Sequence, residues 1–284
     1  LVVGLSVNQS TVQAAMVVGY MSGAALAPYA PHLALAVNSA MFAASSVIIR
    51  FGLRDRPPAL TVARRRHLLK ETGEGFAVVF GHRVLRAVAL IVFASMPFSI
   101  VPEGLAAAWA GELVGHVDGR GFVQGLIMVA NPLGWIAGGL LIGRLTPPET
   151  RRRMIRVFAV LGPLVLVPAA ANPPVAGVVL MSAASGFCMG AMMPAANALF
   201  VQSLPNGYRA RAFGVMQSGI QVLQGVAVLF TGLLADAYPL YAVVGLWSAG
   251  GVLLLILTGL RWPGVLEIRA AIATASAANE AGRA

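Results

Sequence analysis

From Gly121 to Leu145 the chain reads GFVQGLIMVANPLGWIAGGLLIGRL, with no ionisable side chain between Arg120 and Arg144. A hydrocarbon layer about 30 Å thick is crossed by about 20 helical residues, so this stretch is long enough to span a bilayer. Lipid offers no partner to peptide N–H and C=O groups, and a span must therefore satisfy them internally, as helix. Barrel strands would alternate in polarity over about ten residues. This run is continuous and much longer, which removes the barrel reading.

The same character recurs at Thr11–Ala30, Pro31–Arg50, Val84–Ala108, Met154–Ala171, Pro174–Ser203, Ala212–Asp236 and Pro239–Arg261. The sequence thus predicts an all-α membrane protein with about eight transmembrane helices. Composition agrees. Of 284 residues, 58% are apolar and 11% charged, against about 25% charged in a soluble domain. Lipid must do much of the solvating.

The net charge of +10 finds its explanation in where the bases fall. Arg50, Arg54, Arg56, Arg64, Arg65, Arg66, Lys70, Arg83 and Arg86 lie on one connection. Arg144, Arg151, Arg152, Arg153 and Arg156 lie on another, Arg209 and Arg211 on a third, and Arg261, Arg269 and Arg283 on the tail. The alternate connections hold one base, Arg120, beside Glu103, Glu112, Asp118 and Asp236. Arginine and lysine concentrate on cytoplasmic loops, so the pattern predicts a multi-pass protein of the cell membrane with both termini in the cytoplasm. The bases sit between apolar runs rather than on one polar domain, which argues against a nucleic-acid surface. Anionic membrane lipid is their expected partner.

Four segments follow. Residues 1–50 form two membrane helices, 51–83 a basic linker, 84–262 a six-helix bundle, and 263–284 a cytoplasmic tail, Ala-rich and read as a frayed helix. Within the linker, Ala63–Phe80 is read as an amphipathic surface helix with Leu68, Leu69, Phe76 and Val79 on one face. The opening LVVGLSVNQS lacks the basic start of a secretory signal, and the chain reads as beginning inside a longer protein. The single cysteine, Cys188, excludes an intrachain disulfide and a cysteine-built metal site. His32, His67, His82 and His116 are scattered, and no metal or other cofactor is expected. No phosphate-binding glycine loop, nucleophile elbow or HExxH string appears. Neither an enzyme nor an ATP-driven machine is indicated.

Two helices, a long basic linker and six helices with short loops resemble the second part of a major facilitator superfamily transporter. IVPEGLAAAWAGELVG (Ile100–Gly115) and the Gly121–Leu145 stretch are similar to the seventh and eighth helices of its bacterial exporters. GRLTPPETRRR (Gly143–Arg153) resembles the basic loop that follows, and GLLADAYPLYAVVG (Gly232–Gly245) the turn between the last two helices. The resemblance implies a C-terminal part only, whose partner is an N-terminal helical half with four further helices. It implies secondary transport, with proton-driven efflux by antiport of small, partly apolar molecules. Substrate would bind near the midplane between halves that rock against each other. Tyr20 stands where the exporters' fifth helix usually carries proline. The alternative is a non-transporting or inactive truncated membrane protein.

Glu103 leads the candidate residues for a substrate or proton pathway. A carboxylate inside a span costs roughly 2.5–3.5 kcal/mol and marks function by default. Burial disfavours the charged form of a carboxyl, so a buried Glu103 would carry a proton. If the span instead ends at Phe98, Glu103 is simply exposed at the outer surface. Pro102 before it can kink the helix and free a carbonyl, which commonly needs a neighbour's help. Gln217, Gln221 and Gln224, spaced by four and three, share a helical face. Amides facing hydrocarbon are costly, so this face is expected toward the interior or a water-filled cavity, as substrate wall or interhelical glue. Asn131 and Asn197 carry the same two readings. Arg144, Arg151, Arg152 and Arg153 are expected to gate the inner face or contact lipid. The glycines at 134, 138, 139, 143, 186 and 190 predict close helix approach.

Overall fold

A computed structural model describes residues 2–26, 30–52, 68–115 and 117–281 of the chain. The helices are α1 (Val2–Leu26), α2 (Pro31–Gly52), α3 (Leu68–Gly81), α4 (Arg83–Ser99), α5 (Val101–Gly104) and α6 (Ala106–Leu113). They continue with α7 (Val117–Leu145), α8 (Pro148–Leu164), α9 (Val175–Gln202), α10 (Arg209–Ala235), α11 (Leu240–Leu260) and α12 (Val265–Ala281). Short 3-10 turns at Val167–Ala171 and Asn206–Tyr208 complete the described elements, and no strand occurs among them.

Seven helical spans among the described residues have the length and hydropathy to cross a membrane, and α1 adds the shorter apolar stretch Thr11–Leu26. The expected span Val84–Ala108 is not one helix. It breaks at Ile100 and again at Leu105, giving α4, α5 and α6. Proline at 97 and 102 removes backbone donors, and beside the break side chains of neighbouring helices serve exposed carbonyls. Trp247 Nε1 donates to the Pro97 carbonyl at 3.2 Å, and Asn131 Nδ2 donates to the Ser99 carbonyl at 3.3 Å and to Ser99 Oγ at 3.2 Å.

Side-chain contacts fix which helix ends lie together. At one end, Arg211 on α10 pairs with Glu74 on α3 at 2.8 Å, Arg152 on α8 donates to Gln202 on α9 at 2.7 Å, and Arg83 on α4 pairs with Glu267 on α12 at 2.7 Å. At the opposite end, Glu112 in the last turn of α6 accepts from the Leu240 N–H at 3.3 Å and so caps α11. The alternation of charge read from the loops is therefore an alternation of helix ends in space.

The core is apolar throughout. One cluster joins α4, α8, α9 and α10 through Leu85, Ile91, Ile155, Met189, Phe200 and Val215. A second lies toward the acidic end around Trp109, Ile127, Leu240 and Val244. The tightest seam is α7 against α9. A methyl at Gly134 or Gly138 would collide with the α9 backbone, and one at Gly186 or Gly190 with the Asn131 or Trp135 carbonyl. Interdigitated glycines at spacing four let the two backbones touch. By contrast, none of the α2 span is buried.

Two expectations need correction. The tail is an ordered helix over Val265–Ala281, seated through buried Ile268 and Ala275 rather than frayed. Of the expected linker helix the structure describes Leu68–Gly81, and residues 63–67 lie outside the described ones. Its proposed apolar face also divides, since Val79 is buried and Phe76 is 49% exposed. The helix is docked by Gly75 against the α10 backbone at Arg211, at 3.0 Å from a Cβ position. A small residue and an ion pair set its face, and apolar periodicity carries neither signal.

Candidate functional site

Glu103 lies on α5, the short helix that the break after α4 creates. It is half-buried, and the Tyr20 hydroxyl of α1 donates to its Oε1. The reading in which Glu103 simply hangs into solvent beyond Phe98 does not hold. A hydrogen bond to a charged group contributes about 1.5–3 kcal/mol, comparable to the roughly 2.5–3.5 kcal/mol that a carboxylate costs in a span. Tyr20 was not anticipated as a site residue. Its signal was an out-of-pattern residue at a similar depth to an otherwise partnerless acid. One turn further on, α1 meets α7, where a Cβ at Gly125 would stand 2.6 Å from Ala24 Cβ.

Asn131 serves the same region from the other side. Its amide holds the carbonyl and hydroxyl of Ser99, and it is buried. It thus positions the break from which Glu103 projects. Gln224 is half-buried and reaches Met96 Sδ on α4 at 3.9 Å. Glu103, Asn131 and Gln224 therefore all attach to the last turns of α4 and its break.

Gln217 and Gln221 do not join them. Both are exposed, on a continuous open face of α10 that also carries Gly214, Ser218, Val222 and Gly225. The three glutamines span about 10 Å along the helix. Asn197 is half-buried on α9, toward the arginine-rich end, and is not part of the α4 break. The arginine set divides too. Arg144 is exposed at the end of α7, Arg152 is held by Gln202, Arg153 is exposed, and Arg151 Nε is buried without a hydrogen-bond partner among the described residues.

No group of three or more potential metal ligands occurs among the described residues. The arrangement instead provides one protonatable carboxyl with a fixed hydroxyl partner, and a polar helix face. An ionised carboxylate only accepts hydrogen bonds, whereas the protonated acid also donates. A change of charge on Glu103 therefore changes the strength of its bond to Tyr20.

A sequence model of the Major Facilitator Superfamily matches residues 121–266, just over half of the chain. The chain belongs to the Major Facilitator Superfamily. Membership makes it a multi-pass membrane transporter, in agreement with the seven helical spans among the described residues that are long and apolar enough to cross a membrane. The superfamily match runs from α7 into α12 and includes Asn131, Asn197, the three glutamines and the α8 arginines. Tyr20 and Glu103 lie outside it. No curated protein and no solved structure matches the chain.

Proposed function

We propose that this transporter is a secondary active exporter of small, partly apolar molecules, driven by proton entry. The observation that carries the reading is the Tyr20–Glu103 hydrogen bond between α1 and α5. By the family resemblance α1 belongs to the N-terminal half and α5 to the C-terminal half, so the pair bridges bodies that must rock apart. Ionised Glu103 holds Tyr20 and keeps the acidic end closed. Protonation exchanges a charge-assisted bond of about 1.5–3 kcal/mol for a neutral one of about 0.5–1.5 kcal/mol. That difference biases opening about fivefold per kcal/mol.

The open face of α10 supports a pathway wall. Gln217 and Gln221 in contact with hydrocarbon would be costly, so this face is assigned to a water-filled cavity. Val222, Val226 and Leu229 continue it as exposed apolar surface, which fits a partly apolar substrate. A further N-terminal helical half closes the cavity in this reading and covers α2. Sidedness follows the positive-inside rule, with the arginine-rich end and both termini in the cytoplasm and the chain in the cell membrane.

The test is flux into or out of vesicles containing the whole protein under an imposed pH gradient. Glu103→Gln is expected to abolish gradient-driven flux while leaving the protein folded. Flux that is unchanged across pH in this variant overturns the coupling role.

A further inference from the structure

At the arginine-rich end, the first turns of α8 and the junction of α11 with α12 enclose a cavity of about 240 Å³. Arg152, Arg153 and Arg156 enter it from α8, and Arg269 from α12. Trp262, Val265 and Ile268 form an apolar wall beside them. Four arginines thus line one space from two helices, Arg152 with one nitrogen already donated to Gln202 at 2.7 Å, and positively charged neighbours on a helix repel one another.

The available acids do not cancel this charge. Glu267 is engaged by Arg83 at 2.7 Å and by the Gly264 N–H at 3.0 Å. Glu74 pairs with Arg211. Glu149 lines the cavity but is exposed in the first turn of α8, where it offsets the positive helix end. No carboxylate among the described residues pairs with Arg153, Arg156 or Arg269.

We propose that this cavity binds the phosphate of an anionic phospholipid. Guanidinium forks match phosphate oxygens in bidentate geometry. The Trp262–Ile268 wall gives the glycerol and upper acyl segment an apolar bed, and tryptophan favours the membrane–water interface. A free phosphate shares the oxyanion chemistry but makes no use of that wall, so the lipid is the assigned occupant. Arg156 and Arg269 thereby join Arg152 and Arg153 in one site, and Arg144 does not. This site is independent of the transport reading, since it requires neither coupling nor a substrate.

The whole purified protein in detergent is titrated separately with phosphatidylglycerol, phosphatidylcholine and inorganic phosphate. Binding is read by native mass spectrometry and by melting temperature. Phosphatidylglycerol is expected to bind about tenfold more tightly than phosphatidylcholine, and Arg153→Ala or Arg269→Ala to weaken it about fivefold each. Arg144→Ala is expected to leave binding unchanged. Arg269→Lys, which keeps the charge and is the fallback if an alanine variant misfolds, should retain stability and lose part of the lipid preference. Equal binding of the two lipids overturns the proposal, as does a loss in Arg144→Ala equal to that in Arg269→Ala. Stabilisation by inorganic phosphate equal to that by the lipid overturns the assigned occupant.

Discussion

Helices α9 and α10 are nearly the same length, 28 and 27 residues, and each is rich in glycine and valine. Yet half of the most apolar stretch of α9 is buried, against 11% of that of α10. The difference lies in what stands opposite their glycines. Gly186 and Gly190 of α9 press on the α7 backbone, whereas Gly214, Gly225 and Gly232 of α10 have nothing within 4 Å of a Cβ position. Identical residues act as a weld in one helix and as an open, polar-edged surface in the other. Under the proposed transport reading this contrast assigns α9 to the scaffold and α10 to the pathway wall.

Alanine at these glycines gives the sharpest break of the comparison. Gly186→Ala or Gly190→Ala forces a methyl into the Asn131 or Trp135 carbonyl and is expected to cost about 3 kcal/mol or more. The reading is loss of monodisperse protein or a large fall in melting temperature. Gly225→Ala should change stability by less than about 1 kcal/mol, in the stabilising direction that helix propensity gives. Comparable losses in both helices would show that α10 is packed as tightly as α9.

Amide removal comes next in size. Gln217→Ala with Gln221→Ala should weaken substrate affinity about tenfold while the melting temperature hardly moves. Asn131→Ala should do the reverse, with a loss of about 1–2 kcal/mol, because its amide serves the Ser99 carbonyl and hydroxyl. If the double glutamine variant loses stability and keeps affinity, the glutamines are interhelical glue.

A smaller effect tests the Tyr20–Glu103 bond. Tyr20→Phe removes the donor and keeps the ring, and should lower flux about fivefold, the equivalent of about 1 kcal/mol, and displace the pH midpoint of that flux. An unmoved pH profile would leave Tyr20 a packing residue. The mildest probe is labelling. Cys188 is buried, so a membrane-impermeant thiol reagent should leave the parent protein alone and modify Gln221→Cys. Absence of labelling at 221 would place that face against lipid.

Much of the fold is legible in the sequence. Continuous apolar runs set helix number and order, because an unpaired peptide group in lipid is too costly for any other arrangement. Arginine placement set which helix ends lie together, as the Arg152–Gln202 and Arg83–Glu267 contacts show. The glycine spacing in α7 and α9 announced a close approach, although their mutual seating was not stated in the chain. Less legible were the division of the Val84–Ala108 run into three helices and the ordered tail. Both depend on donors and surfaces supplied from elsewhere, by Asn131, Trp247 and the faces that α12 covers.

The sequence alone determined a bundle of bilayer-crossing helices with arginine confined to alternate connections. It did so because apolar run length and loop charge are local properties that the solvent reads directly. Only the tertiary structure decided that Tyr20 meets Glu103, that Asn131 braces the break in α4, that Gln217 and Gln221 lie open, and that Arg156 and Arg269 share a cavity. Each of these depends on the rotation of one helix about its own axis relative to another. That rotation is fixed by shape and close packing across the bundle, not by any stretch of chain taken by itself.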